Sequence, residues 1–76
     1  MTSSEIDSAV LAVAEGHWRK VAMIISKTAE RLGPDLPEGD AGYSMIAARI
    51  AALVAAGRLA SQGDISRWRH SEVRLP

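Results

Sequence analysis

The spacing of apolar residues changes at Gly57, and this change constrains the fold more than any other feature of the chain. Before Gly57, Ile46 and Ile50 recur at the spacing of a helix that is buried on one face. Near the end of the chain, Val73 and Leu75 alternate with polar residues, as in a half-buried strand. The sequence therefore predicts helices first and a C-terminal β-hairpin after them.

The first helix is predicted at about residues 5–15. Ser4 and Asp7 have the spacing of a capping box, in which Asp replaces the usual Glu or Gln. The segment then carries apolar residues at helical spacing, and Gly16 is expected to supply the left-handed residue that stops the helix.

A second helix follows almost at once and is predicted to open at Trp18. The pair Gly33-Pro34 closes it, because glycine readily adopts the left-handed conformation and proline cannot continue a helix. Val21 and Ile25 share a helical face with Trp18, so the indole is predicted to lie in the core.

The third helix has the plainest pattern in the chain. It is predicted to begin at Gly42 or Tyr43, after a loop rich in proline, glycine and acids, and to end at Gly57. Leu59 lies just beyond that glycine, where it can fold back on the last helical turn. The chain is then predicted to leave as a strand.

The hairpin is predicted to have Arg58–Gln62 and Arg67–Leu75 as its arms, joined by a turn that includes Gly63-Asp64. Trp68 has the opposite parity from Val73, which is predicted to face the helices. Either a bulge resets the register or the indole lies on the outer face of the hairpin. Both alternatives stay open at the level of sequence. We favour an indole that covers the edge of the small core over one that stacks on bases or packs against a partner protein.

This order of elements predicts a mainly α domain of the α+β class, with three helices and a C-terminal β-hairpin, as in a winged helix. A three-helix bundle with an appended hairpin would give the same pattern. A chain of 76 residues cannot support two separate cores. We therefore predict a single winged-helix-like domain over residues 1–76, with its core at about residues 5–75.

Composition argues against several classes of protein. The chain has no cysteine, so neither disulfides nor zinc thiolates can stabilise it, and a reducing, cytoplasmic location is predicted. Its apolar runs are far shorter than the roughly 20 residues of a membrane span, so no membrane partner is predicted. Nine basic side chains balance nine acidic ones, which removes the general attraction to phosphate backbones that basic proteins have.

Three groups of residues form a moderately specific set. They are Trp18–Val21, then Arg49–Val54 with Gly57 and Leu59, and then Gly63-Asp64 with the ending Arg69–Leu75. Together they resemble an uncharacterised bacterial domain family, a domain of unknown function that stands behind another such domain in longer proteins. The resemblance covers about residues 5–76. It implies a bacterial origin and an unassigned function, and it carries over no ligand and no catalytic residue.

No arrangement of side chains predicts catalysis. His17 and His70 are the only imidazoles, and neither has a second histidine, a cysteine or a carboxylate at the spacing of a metal site. We interpret His17 as a polar residue between helices and His70 as a surface residue. The protein is therefore predicted not to be an enzyme and to use neither a metal nor a cofactor.

The loop before the third helix contains Asp35, Glu38 and Asp40. These acids lack the defined run of oxygen ligands that a calcium loop needs, and they would repel a phosphate group. We interpret the segment as a solvated loop, with Asp40 or Ser44 as the N-terminal cap of the third helix.

The arginine-rich hairpin is the most suggestive candidate for a binding surface. Its hypothetical contact residues are Arg58, Arg67, Trp68, Arg69, His70 and Arg74. In winged helices the hairpin can contact phosphate groups while the third helix reads bases. Here Arg49 is the only cation on the third helix, which starts behind three acids. We therefore favour a solvated, partly ion-paired surface over a DNA footprint.

Alanines nearly encircle the third helix. They are Ala47, Ala48, Ala51, Ala52, Ala55 and Ala56. A face of them that stays exposed would be a candidate for self-association or for docking a second domain. The sequence thus predicts a binding module whose partner is a protein or a second domain, with weak DNA binding through the hairpin as the alternative.

Overall fold

The computed structural model describes all 76 residues, Met1–Pro76, and confirms the predicted fold class. It contains the helices α1 (Ser3–Val13), α2 (Val21–Leu32) and α3 (Asp40–Ala55), the strands β1 (Arg19–Lys20), β2 (Ala60–Gly63) and β3 (Ser71–Arg74), and single 3-10 turns at Gly33–Asp35 and Trp68–His70. The strands form one antiparallel sheet in the order β1-β3-β2. Because β1 joins the hairpin to the segment between α1 and α2, the arrangement is that of a winged helix rather than a bundle with a separate hairpin.

Helix α1 begins two residues earlier than predicted, because a better capping box lies upstream. The Thr2 hydroxyl accepts a hydrogen bond from the Glu5 amide at 3.2 Å, and the Glu5 carboxylate accepts one from the Thr2 amide at 3.4 Å. Glutamate at the third helical position has the reach that this reciprocal bond requires. The predicted box of Ser4 and Asp7 was therefore wrong.

The junction between α1 and α2 also differs from the prediction. Helix α1 ends in the extended residue Ala14, and Gly16 does not adopt a left-handed conformation. Helix α2 opens at Val21 rather than at Trp18, because Arg19–Lys20 pair with β3 as a short strand. A strand of two residues is too short to show an alternating pattern, so the sequence did not predict it.

The ends of α2 and α3 are partly as predicted. Helix α2 closes at Leu32, and Gly33 follows with a φ of 61°. Helix α3 begins at Asp40, earlier than predicted, with Gly39 as the residue before its first turn. Neither Asp40 nor Ser44 is the N-terminal cap. Asp40 lies at the first helical position, and Ser44 lies in the second helical turn.

Helix α3 ends in a Schellman motif at Gly57. The Arg58 amide donates to the Leu53 carbonyl at 2.9 Å, and the Gly57 amide donates to the Val54 carbonyl at 3.0 Å. This pair of bonds requires a left-handed residue, and Gly57 supplies it with a φ of 76°. Leu59 folds back and is buried, as the sequence predicted.

The two strands of the hairpin are shorter than the predicted arms, and residues 64–70, which we call the wing loop, join them. The loop is held by its own hydrogen bonds: the Asp64 carboxylate accepts from both the amide and the hydroxyl of Ser66. Trp68 belongs to the 3-10 turn in this loop and not to β3. Strand parity therefore does not apply to Trp68, so neither a bulge nor a place on the outer face of the strand describes it. The indole packs against the core and is half-buried, which confirms the favoured interpretation that it covers the core's edge.

The core lies between the three helices and the inner face of the sheet. Its buried apolar residues include Val10 of α1, Ile24 of α2, Ile46 and Ile50 of α3, and Val73 of β3. None of the helices combines the length and the apolar character that a membrane span requires.

Candidate interaction surface

The only cation on α3 is held by the neighbouring helix. The Arg49 Nε and Nη2 atoms donate to the two carboxylate oxygens of Asp7 at 2.8 and 2.9 Å, as a bidentate pair between α3 and α1. Both side chains are largely covered, with 31% of Arg49 and 18% of Asp7 exposed. Arg49 therefore does not contribute a free charge to the outer face of α3.

This ion pair makes stability depend on pH in a defined direction. The hydrogen bond from Arg49 holds the pKa of Asp7 below its usual value of 3.8; partial burial opposes this effect, and the charges of Arg49 and Arg58 add to it. A carboxylate with a lowered folded pKa stabilises the fold above its unfolded pKa, and this contribution is lost as the pH falls through the folded value.

We expect Asp7→Asn to lower the free energy of unfolding by about 1 kcal/mol at neutral pH, because a charged hydrogen-bonded pair at a partly exposed site is lost. Urea unfolding at a series of pH values measures this effect. The difference from the wild type should disappear at pH values below the folded pKa of Asp7. Asp35→Asn, at an exposed loop acid without an ion pair, should show no such difference. If Asp7→Asn stayed less stable than the wild type by the same amount in acid, the loss would not come from the ion pair between Asp7 and Arg49.

The outer face of α3 is exposed and uncharged. It consists of Ala41, Ser44, Ala48, Ala51 and Ala55. These residues alternate at spacings of three and four along the helix, so they form one continuous stripe. The sequence left open whether a face of the α3 alanines stays exposed, and the structure shows that one does.

A groove of about 520 Å³ separates this helix from the wing loop. Alanines and Val54 of α3 form one wall, and the wing loop forms the other with Asp64, Ile65, Ser66 and Trp68. We call this concavity the α3-wing groove. Trp68 also packs against the core, so its indole is half-buried and fixed in place.

A smaller and more polar hollow lies on the other side of Trp68. It has a volume of about 350 Å³, and Asp40, Tyr43 and Arg69 contribute to its rim. Its floor includes Ile25 of α2. Trp68 is therefore shared by both concavities, and it is the central aromatic residue of this surface.

The cations of the wing loop stay free. Arg67, Arg69 and His70 are exposed, and none of them takes part in an ion pair within the protein. Hydrogen bonds from the Ser66 hydroxyl and amide lower the pKa of Asp64, and the charge of Arg67 adds to this effect. The tip of the wing thus carries an ordered turn beside unpaired positive charge.

The other two predicted contact arginines lie elsewhere. Arg58 follows the end of α3, where its charge helps to lower the pKa of Asp7. Arg74 lies in β3 with its guanidinium carbon 5.0 Å from the centroid of the Trp18 ring. Of the six predicted contact residues, the structure therefore keeps Arg67, Trp68, Arg69 and His70 together and separates Arg58 and Arg74 from them.

Trp18 corrects the sequence prediction of a core indole. It is 36% exposed and stacks against Arg74. In the sheet, Arg19 lies opposite Val73, so Trp18 falls opposite Arg74 in the same antiparallel register. The prediction was wrong because Trp18 precedes a strand and does not share a helical face with Val21.

The two histidines lie apart from any arrangement of functional groups. The His17 Nε2 atom is 2.9 Å from a Glu15 carboxylate oxygen, and both side chains are exposed between α1 and β1. His70 is exposed on the wing loop. No three histidine, aspartate or glutamate side chains lie close enough together to hold a metal ion.

No protein-family model, curated protein or solved structure matches the chain. The resemblance to a bacterial domain family therefore stays a prediction. Function is inferred from the geometry of α3 and the wing loop.

Proposed function

We propose that the protein is a cytoplasmic, non-catalytic binding module that holds another polypeptide in the α3-wing groove. One observation carries this proposal: after its first residue, Asp40, the outer face of α3 has no charge, because Asp7 binds Arg49, the only cation of the helix. A helix that reads DNA presents donors and acceptors to base edges. Apart from the Ser44 hydroxyl, the outer face presents alanine methyl groups, which lack donors and acceptors and suit close contact with protein.

The side chains that line the groove suit the binding of a helix from a partner protein. Small side chains on α3 allow another helix to approach closely, at the short end of the usual 8–10 Å between helix axes. Ile65 and Trp68 form the opposite wall, and a fixed aromatic residue at the centre of a contact is typical of interface hot spots. Together they favour an amphipathic helix laid in the groove.

Site-specific photo-crosslinking tests the proposal directly. A photoreactive amino acid at Ala51, in the groove, is expected to yield an adduct with a defined polypeptide in the cells that naturally make the chain. The same residue at Ala12, an exposed alanine of α1, serves as the matched control. Mass spectrometry identifies the adduct, the same chain included.

Loss of the groove wall should remove the adduct. Because an arginine at position 65 would place a long, charged side chain against the alanine face, Ile65→Arg is expected to lower the yield at Ala51 at least about tenfold. Equal yields from positions 51 and 12, or an adduct with nucleic acid at position 51, would contradict a protein-binding groove.

Nucleic-acid binding through the wing loop is the second candidate. The unpaired charges of Arg67, Arg69 and His70 favour it, because exposed cations on a loop can contact phosphate groups. It would be weak and without sequence specificity, since α3 offers no base-reading side chains. Binding would weaken with salt, with a slope of about 0.9 per phosphate contact on logarithmic axes.

An NMR titration separates the two candidates. We expect amide resonances of the labelled protein to stay unshifted when a generic DNA duplex is added at low salt and again at moderate salt. Shifts confined to α3, Arg58 and residues 67–74 that vanish with salt would assign the surface to nucleic acid instead.

A further inference from the structure

We infer that the α3-wing groove binds a second copy of this chain, with the two α3 helices antiparallel. The inference rests on the proposed function, because it names the partner of the same groove. Three properties of the surface support it: the spacing of its apolar positions, the distribution of charge along α3, and the absence of net charge.

The spacing of the outer face suits a helix of the same kind. Ala41, Ser44, Ala48, Ala51 and Ala55 follow the alternation of three and four residues that lines the seam of paired helices. Ala48 lies midway between Ala41 and Ala55. A two-fold axis near Ala48 therefore places Ala41 of each copy against Ala55 of the other, and it makes the surface complementary to itself.

The wing loop extends this contact beyond the helix. Helix α3 has 16 residues, which corresponds to a length of about 24 Å. In the antiparallel pair each α3 lies in the groove of the other copy, so it also meets Ile65 and Trp68 there. The alanine stripe alone would bury little area, and Ile65 and Trp68 of the wing loop add apolar area to the contact.

Charge along α3 is arranged for antiparallel pairing. Asp35, Glu38 and Asp40 lie at or before the N-terminal end, and Arg58 follows the C-terminal end. All four are exposed, and none forms an ion pair within the protein. Since Glu38 and Arg58 are equally far from Ala48 along the chain, the two-fold axis brings each near the other in the second copy. The opposed helix dipoles add to the attraction.

Net charge does not oppose the pairing. Nine basic and nine acidic side chains cancel, so two copies meet without general repulsion. Because the contact is small, we expect a dissociation constant of roughly 10 to 100 µM.

Sedimentation across a range of concentrations measures this equilibrium. The average mass is expected to rise from the monomer value of 8.1 kDa toward twice that value. Ala48→Glu places two like charges at the two-fold axis, and we expect the dissociation constant to rise at least about 100-fold. Ala12→Glu, the same change at an exposed alanine of α1, should leave it unchanged.

A charge reversal tests the orientation of the two helices. Arg58→Glu is expected to weaken the pairing about 5- to 10-fold, because it faces Glu38 of the second copy. The double variant Glu38→Arg with Arg58→Glu should restore the wild-type dissociation constant. Each ion pair between the two copies then forms again, with the positions of the acid and the base exchanged. A double variant that is no tighter than Arg58→Glu would overturn the antiparallel arrangement.

The outcomes separate this inference from the proposed function. A monomer at concentrations up to about 1 mM, well above the expected constant, would overturn self-pairing. Equal effects of Ala48→Glu and Ala12→Glu would overturn it as well, because association would then use another face. A monomeric protein that still forms a photo-adduct with a different polypeptide at Ala51 would leave the groove as a protein-binding site.

Discussion

Ile50→Ala is expected to lower the free energy of unfolding by about 3 kcal/mol. The side chain of Ile50 is fully buried, with 0% exposed, on the face of α3 that packs into the core. Truncation removes apolar contacts and leaves a cavity. A domain of this size has a total stability of about 4 to 11 kcal/mol, so the variant would lose a large share of it.

Thermal unfolding followed by circular dichroism measures this loss as a fall in Tm of about 12 to 24 °C. Ile50→Val, which removes one methyl group, is the graded control and should cost about 1 kcal/mol. Equal stability of the wild type and Ile50→Ala would show that α3 does not pack on the core as described.

Gly63→Ala is expected to destabilise the protein by about 3 kcal/mol, because two independent requirements of the backbone meet at this residue. Gly63 has a φ of 79°, which side chains with a Cβ rarely adopt. A Cβ there would also lie 2.5 Å from the His70 carbonyl oxygen and 3.1 Å from the Ser71 Cα. Both neighbours are backbone atoms, His70 in the 3-10 turn and Ser71 at the start of β3, so the hairpin must deform to admit the methyl group.

The control for this change is Gly16→Ala. Gly16 does not have a positive φ, and no atom would lie within 4 Å of a Cβ added there. Alanine at this position should therefore stabilise the protein by up to about 1 kcal/mol, because it restricts the unfolded chain. The two substitutions therefore have opposite expected signs in a urea denaturation experiment. A Gly63→Ala variant as stable as Gly16→Ala would rule out the described geometry of the hairpin.

The helices were predictable from sequence because each buries one face over several turns. Ile46, Ile50 and Leu53 of α3 occur at a spacing that only a helix places on one side, and all three are buried. The Schellman end at Gly57 and the burial of Leu59 were predictable for a related reason. A left-handed glycine ends the helix, and an apolar residue two positions later folds back on the last helical turn. This local conformation does not depend on distant parts of the chain.

The strand β1 and the position of Trp18 were not predictable in the same way. Arg19 and Lys20 become a strand only because β3 lies beside them, and that neighbour comes from the far end of the chain. A helical reading of Trp18 with Val21 is locally consistent, and only tertiary pairing overrides it. Trp18 and Arg74 lie across from each other because the register of the sheet pairs Arg19 with Val73.

The candidate surface was predictable in composition but not in arrangement. The exposed alanines of α3 were visible in the sequence, whereas the ion pair between Arg49 and Asp7 joins residues 42 positions apart. Five basic hairpin residues and Trp68 looked like one set, yet sequence neighbours in a hairpin point to different faces. The stacking of Arg74 on Trp18 removes that arginine from the wing loop.

The positions of the two tryptophans give the molecule an optical reporter that needs no label. Trp18 lies on the outer face of the sheet against Arg74, whereas Trp68 forms part of the wall of the α3-wing groove. Indole fluorescence responds to the polarity of its surroundings. With Trp18 replaced by phenylalanine, the tryptophan emission of the protein comes from Trp68 alone, so its wavelength reports whether the groove is filled with water or with another polypeptide.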